Sequence, residues 1–143
     1  MIVLIDTNII LDVLLKRNPY TNEAQIIISK CANRDIIGYL AAHSIPNLFY
    51  ILRKTYSHKE RRRFIKNLCD VFYISALNVE KIKSAIENEE FKDFEDCLQE
   101  ECAVEVMADY IITRNPDDYK NSRIKVIQPD EFIKLLELDN IKN

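Results

Sequence analysis

Ile2 to Ile5 is a short run of apolar residues, all β-branched except Leu4, and it stops at Asp6. A run apolar at every position has no face to offer water, so it suits a strand covered on both sides, as in a parallel sheet. Asp6-Thr7-Asn8 follows, with short polar side chains suited to a strand-to-helix turn and an N-cap. Ile9, Ile10, Val13 and Leu14 then recur at helical spacing.

The rest of the chain repeats that alternation. Pro19 breaks the first helix, and Thr21-Asn22-Glu23 opens another whose stripe runs through Ile26 and Ile27 toward Ala32. Ile36 to Ala41 reads as a second strand. Ser44-Ile45-Pro46 reads as a helix start, with a serine cap and proline in the first turn, continued by Leu48, Ile51 and Leu52. A further helix carries Phe64, Ile65, Leu68 and Cys69 behind a basic face. Val71 to Leu77 reads as a third strand, Asn78 as the cap of a helix holding Ile82 and Ile86, and Phe94 to Met107 as another helix. Asp109 to Thr113 and Arg123 to Ile127 read as late strands around a turn at Asn115-Pro116-Asp117-Asp118, and Pro129 starts a closing helix. No repeat, low-complexity tract or linker interrupts the series, so one domain over residues 1–143 is expected.

Strands separated by helices imply right-handed crossovers and a parallel sheet with helices on both faces. In such sheets ligands bind beyond the carboxyl ends of the strands, where strand order reverses. Asp6, His43 with Ser44, and Thr113 to Asp118 are the residues so placed.

Composition removes several function classes. Gly38 is the only glycine, which excludes glycine-rich phosphate loops. Two histidines, His43 and His58, leave little for a histidine-rich zinc site. No stretch approaches the roughly 18 apolar residues of a membrane-spanning helix, so no membrane partner is expected. The opening MIVLIDTN has an acid and no basic region, so it does not read as a signal peptide, and the expected location is cytoplasmic. Cys31, Cys69, Cys97 and Cys102 form no Cys-x-x-Cys pair and read as buried reduced thiols.

The net charge of −3 hides an asymmetry. Arg53 to Lys66 carries seven basic residues against Glu60, whereas Glu87 to Glu105 carries nine acids against Lys92. A polyanion contact beside a cation site would give this pattern; so would two solvated helix faces. Arg61, Arg62 and Arg63 cannot all face one way on a helix, so at most two can line a nucleic-acid path.

Three places could carry chemistry. Asp6, directly after a buried strand, needs partners or a cation to offset desolvation, or else caps the next helix. Asp93, Asp96 and Glu100 fall on one helical face, where like charges repel unless water or a cation lies against them. Thr113-Arg114-Asn115-Pro116-Asp117-Asp118-Tyr119 is good turn chemistry, and it also offers a hydroxyl, a phosphate-binding arginine and a metal ligand.

The blocks LIDTNIILDVLL, DFEDCLQEECA and DYIITRNPDDY, in this order, resemble the three signature blocks of the PIN domain family, and the likeness extends over nearly the whole chain. The nearest likeness is to bacterial PIN ribonucleases similar to VapC-type toxins. The resemblance implies a three-layer α/β/α fold with a central parallel sheet of four or five strands. It implies acids that bind Mg²⁺ or Mn²⁺, and an endoribonuclease that could be the toxin of a toxin–antitoxin pair.

Carried over by position, Asp6 matches the first essential aspartate, Asn8 the polar residue beside it, and Asp96 the third acid. Asn115 stands where a fourth acid is usual, with Asp118 able to supply the carboxylate. Asp6, Asp96 and Asp118 are the expected metal ligands, and Thr7, Asn8, Ser44, Asn47, Thr113 and Arg114 the expected substrate contacts. Thr7 or Thr113 would position water or phosphate. Arg114 would neutralise transition-state charge, or else form an ion pair.

PIN nucleases usually carry a second acid on the helix after the second strand. Here no Asp or Glu occurs between Asp35 and Glu60, and Asn47 is the nearest polar residue to that place. An amide oxygen can bind a hard cation but adds no charge. The alternative reading is therefore a catalytically weak PIN-fold module that binds RNA or a protein partner. RNA, an antitoxin protein and a second copy of the chain are the expected partners.

Overall fold

The computed structural model describes residues 1–143. β1 (Ile2–Ile5) leads into α1 (Thr7–Leu14) and α2 (Thr21–Ala32), then β2 (Ile37–Ala41), α3 (Ser44–Ile51) and α4 (His58–Val71). β3 (Tyr73–Ser75), α5 (Val79–Glu87) and α6 (Phe94–Glu105) follow, then β4 (Tyr110–Ile112), β5 (Lys125–Ile127) and α7 (Pro129–Lys142). The five strands form one sheet in the order β3-β2-β1-β4-β5, every neighbouring pair parallel. This is the three-layer α/β/α arrangement expected from the sequence.

The opening run behaves as its composition requires. Val3 and Ile5 turn to one face of the sheet and Leu4 to the other, and all three are fully buried. On the first face they join Ile9, Ile27, Leu40, Leu48 and Phe132 beneath α1 to α4 and α7. On the second, Leu4 meets Ala41, Cys102, Ala103, Ile111 and Tyr119 beneath α6. Each such aliphatic side chain contributes about 1.5–3 kcal/mol by leaving water. Gly38, on β2, lies where α2 and the end of α4 close on the sheet. A Cβ there would stand 2.6 Å from Cys31 Sγ and 2.8 Å from Phe72.

Several expected boundaries shift for identifiable reasons. The third strand shrinks to Tyr73–Ser75, because α4 continues through Val71 and Phe72 is its C-cap. Ser44 does not cap α3: it is the first helical residue, buried, and its hydroxyl accepts from Thr7 Oγ1 at 2.8 Å. The cap expected at Asn78 forms, its side chain accepting from Lys81 N. The turn expected at Asn115 to Asp118 is a single 3-10 turn over Pro116–Tyr119. Three of the cysteines are buried free thiols as expected, but Cys69 is exposed. α4 buries only Leu68, and the next position is already rotated toward water.

The strand order reverses at β1. The connections after it build β2 and β3 on one side, then the chain crosses back to β4 and β5. The carboxyl ends of β1 and β4 lie side by side there, paired through Ile5 and Ile112, and Asp6 and Thr113 follow them.

Candidate functional site

Asp6 leaves β1 with its backbone N–H donating to Ile112 O at 3.0 Å, which ties it to the end of β4. Its position is that of the N-cap of α1, but its side chain makes no capping hydrogen bond and is held instead from two other elements. Oδ2 accepts from Thr113 Oγ1 at 2.8 Å, and Oδ1 accepts from Gln99 Nε2 at 3.0 Å. Thr113 Oγ1 is in turn held by the backbone N–H of Asn115 at 3.1 Å. Burial raises the Asp6 carboxyl above its ordinary range, and the hydrogen bonds from Thr113 and Gln99 oppose that rise.

Asp96 arrives from α6, 90 residues along the chain. Asp93 caps this helix by accepting from Asp96 N, and this starts α6 so that Asp96 sits in its first turn facing β1 and the 3-10 turn. Tyr119, buried at the end of that turn, donates to Asp96 Oδ1 at 3.3 Å. The Asp96 carboxyl is pushed up to about 7, first by burial, then by repulsion from Asp93, Asp6 and Asp118. Tyr119 is also raised, by burial and by the charges of Asp6 and Asp96. Acids from three separate parts of the chain thus share one electrostatic neighbourhood.

They share it without touching. No three His, Cys, Asp or Glu side chains stand close enough together to enclose an ion. Like-charged groups have no reason to converge by themselves, and both Asp6 oxygens already hold protein donors. The donor chemistry nonetheless suits a hard divalent cation. It is all oxygen, it is anionic, and beside Asp6 the Oε1 of Gln99 is buried with no protein donor.

The remaining expected residues fall into different settings. Thr7 bonds Ser44, which joins the end of β1 to the start of α3. Asn8 Oδ1 accepts from Arg17 at 3.3 Å. Asn115 and Asp118 are exposed on the 3-10 turn segment. Arg114 commits two donors to Asp12, Nε to Oδ2 at 2.6 Å and Nη2 to Oδ1 at 3.0 Å, and lies 4.0 Å from the Tyr20 ring centroid. Of its two sequence readings, the ion pair is the one the geometry displays. A cavity of about 370 Å³ opens beside Arg114 and Asn115, between the starts of α2 and α7.

One sequence expectation is corrected here. Asp93, Asp96 and Glu100 do not form a shared acidic face. Asp93 is spent as a cap, and Glu100, completely buried, is neutralised by Arg123 at 2.8 Å. Four residues around the site were missed by sequence reasoning: Asp12, Glu95, Gln99 and Tyr119. Asp12 did carry a signal, an acid amid the apolar stripe of α1. Gln99 carried another, standing three residues after Asp96 on the same helical face. Glu95 matters because Asn47 Nδ2 donates to its Oε2 at 3.3 Å, so a carboxylate from α6 stands against the helix that lacks one.

A model of the PIN domain family matches residues 2–117. No curated protein matches the sequence. Among solved structures, a chain of VapBC2 from Rickettsia felis, bound to a DNA fragment from their promoter, is similar in fold. Its TM-score is 0.66 at 15% identity, with 90% of this chain and 98% of that chain covered. A chain of VapBC-1 from nontypeable Haemophilus influenzae gives 0.67 at 16% identity, with 91% and 99% covered. VapC20 of Mycobacterium tuberculosis, a sarcin-ricin loop cleaving toxin, gives 0.65 at 10% identity, with 82% and 93% covered.

Proposed function

Since the chain belongs to the PIN domain family, we propose that it is a metal-dependent endoribonuclease whose centre is built on Asp6 and Asp96, with Asp118 joining them when a cation binds. The observation that carries this reading is the meeting of Asp6, held by Thr113 and Gln99, with Asp96, one turn before Gln99 on α6 and bonded by Tyr119. The setting is half-buried, and burial with the like charges of Asp93, Asp6 and Asp118 raises the Asp96 carboxyl. Perturbed acids of this kind cluster where a charge is meant to be received.

A divalent cation in this place supplies polarisation of the scissile phosphate and a lowered pKa for bound water. The chain's own part is positional. Thr113 and Gln99 orient the Asp6 carboxylate from two sides, and Tyr119 orients Asp96. Asp118, on an exposed turn anchored by buried Tyr119, can adjust without disturbing the sheet. The cavity beside Asn115 gives an adjoining nucleotide a polar recess.

The weaker-module reading rests on the neutral residues Asn47 and Asn115. The contact between Asn47 and Glu95 counts against it, because it brings a carboxylate from α6 beside the residue that α3 leaves neutral. An antitoxin partner is part of the proposal, supported by a toxin–antitoxin complex from Klebsiella pneumoniae among structures of this fold.

The test is incubation of purified protein with RNA and DNA of mixed sequence in Mg²⁺, Mn²⁺ or EDTA, beside Asp96→Asn. Cleavage of RNA that needs metal and is lost in the variant is the expected result. RNA binding without cleavage under any metal would favour the non-catalytic module instead.

A further inference from the structure

Gln99 is the one feature of the site that its acids do not explain. It lies one turn after Asp96 on the same face of α6 and is 3% exposed. Its Nε2 donates to Asp6 Oδ1 at 3.0 Å. A carboxylate only accepts, so this contact decides which arm of the amide is nitrogen. The other arm is then a carbonyl oxygen, buried and without a donor anywhere in the protein. Leaving such an acceptor unpaired costs free energy. The amide that tethers Asp6 through Nε2 thus presents its oxygen, unpaired, beside the acids.

We propose that Gln99 is the neutral oxygen of the cation site: its Oε1 accepts a hydrogen from water carried by the bound divalent ion, while its Nε2 holds Asp6. This rests on the metal-dependent reading above. Mg²⁺ retains several of its waters in protein sites, and the hydrogens of those waters need acceptors that add no further repulsion. Asp6, which Gln99 holds, and Asp96, one turn earlier on α6, already bring like charges to this place, so an uncharged acceptor serves where a further acid would add repulsion. Gln99 is thus a positioning residue that acts through Asp6 and the ion's hydration shell.

The experiment is thermal melting and calorimetric titration with MnCl₂ and MgCl₂ of the full chain and two variants. Gln99→Met removes the unpaired oxygen at similar volume and, with it, the donor to Asp6, so the readout is the shift in melting temperature on adding MnCl₂ and not the metal-free value. Its affinity for Mn²⁺ should fall about 10–100-fold, the usual effect of losing a partner outside the ligand shell. Gln99→Glu keeps an acceptor but faces Asp6 with a second charge, so it should melt lower without metal and gain more from Mn²⁺ than the parent. It also keeps the proposal testable should the methionine variant fail to fold. A parent stabilised by Mn²⁺, with the methionine variant stabilised equally, overturns the role of Gln99 and leaves the metal reading intact. A parent that binds neither ion overturns both.

Discussion

At the residue scale, Asp96 is a group whose charge the folded chain resists. Its carboxyl rises from the ordinary 3.8 to about 7 on folding, so between those values the native state holds a proton that the unfolded chain has released. Native stability of the metal-free protein should therefore fall as pH rises from about 4 to about 7, and stay low above that. Asp96→Asn should flatten this slope and raise the melting temperature at about pH 8, measured by circular dichroism in EDTA. A parent equally stable at about pH 5 and about pH 8 would show that Asp96 is not under this strain. Arg114 works in the opposite sense. Asp12 is completely buried, and apart from Arg17 at 3.8 Å its charge is met only by Arg114. Arg114→Ala should cost about 3–5 kcal/mol in urea denaturation, because it strands a buried carboxylate. Unchanged stability would point Arg114 toward substrate instead.

At the scale of elements, the site depends on how closely helices can approach the sheet. Gly38 allows Cys31 of α2 and Phe72 after α4 to press on β2, whose end delivers Ser44 and α3. A Cβ at 2.6 Å from Sγ has no room, so Gly38→Ala should destabilise by about 1–3 kcal/mol through overpacking. Adding Cys31→Ala should recover part of that loss, since the two positions are in direct contact. Strictly additive denaturation midpoints would contradict the contact. Local signals placed most helices well, as at Asn78, which caps α5, whereas the reciprocal capping box of Ser57 and Glu60 at α4 was not anticipated. They misplaced the ends of short strands, because a three-residue strand is bounded by where its neighbours can pair and not by its own composition.

At the scale of the whole molecule, the two charge blocks separate into distinct regions. On the basic side not every residue is free. Arg61 donates to Phe49 O and lies over its ring, and Arg53 lies 3.6 Å from the Tyr50 ring centroid. Arg62 and Lys66 remain without ion-pair partners along the groove between α3 and α4. Replacing both with alanine should weaken RNA binding across sequences and reduce the salt slope by about 0.7 for each phosphate left unneutralised. Fluorescence anisotropy at several salt concentrations measures this. Equal slopes would return both residues to a solvated face.

Ile2 to Ile5, the stripes of α1, α2 and α5, and the cap at Asn78 could all be assigned along the chain, because each is governed by contacts within a few residues. The alternation of those elements, with the ordered blocks around Asp6, Asp96 and Asn115, was enough to indicate a parallel α/β fold of PIN type. Which charges would meet was decided only in three dimensions. Asp93, Asp96 and Glu100 are equivalent on a helical wheel, yet Asp93 became a cap, Glu100 found Arg123, and Asp96 was left facing Asp6. Asp12 and Arg114, Asn47 and Glu95, and Gln99 and Asp6 likewise pair across 102, 48 and 93 residues. Spacing along a chain carries no record of such pairs. The energy of a buried charge depends on what folding brings within a few ångströms of it, and that is settled by the sheet order and the helices packed on it.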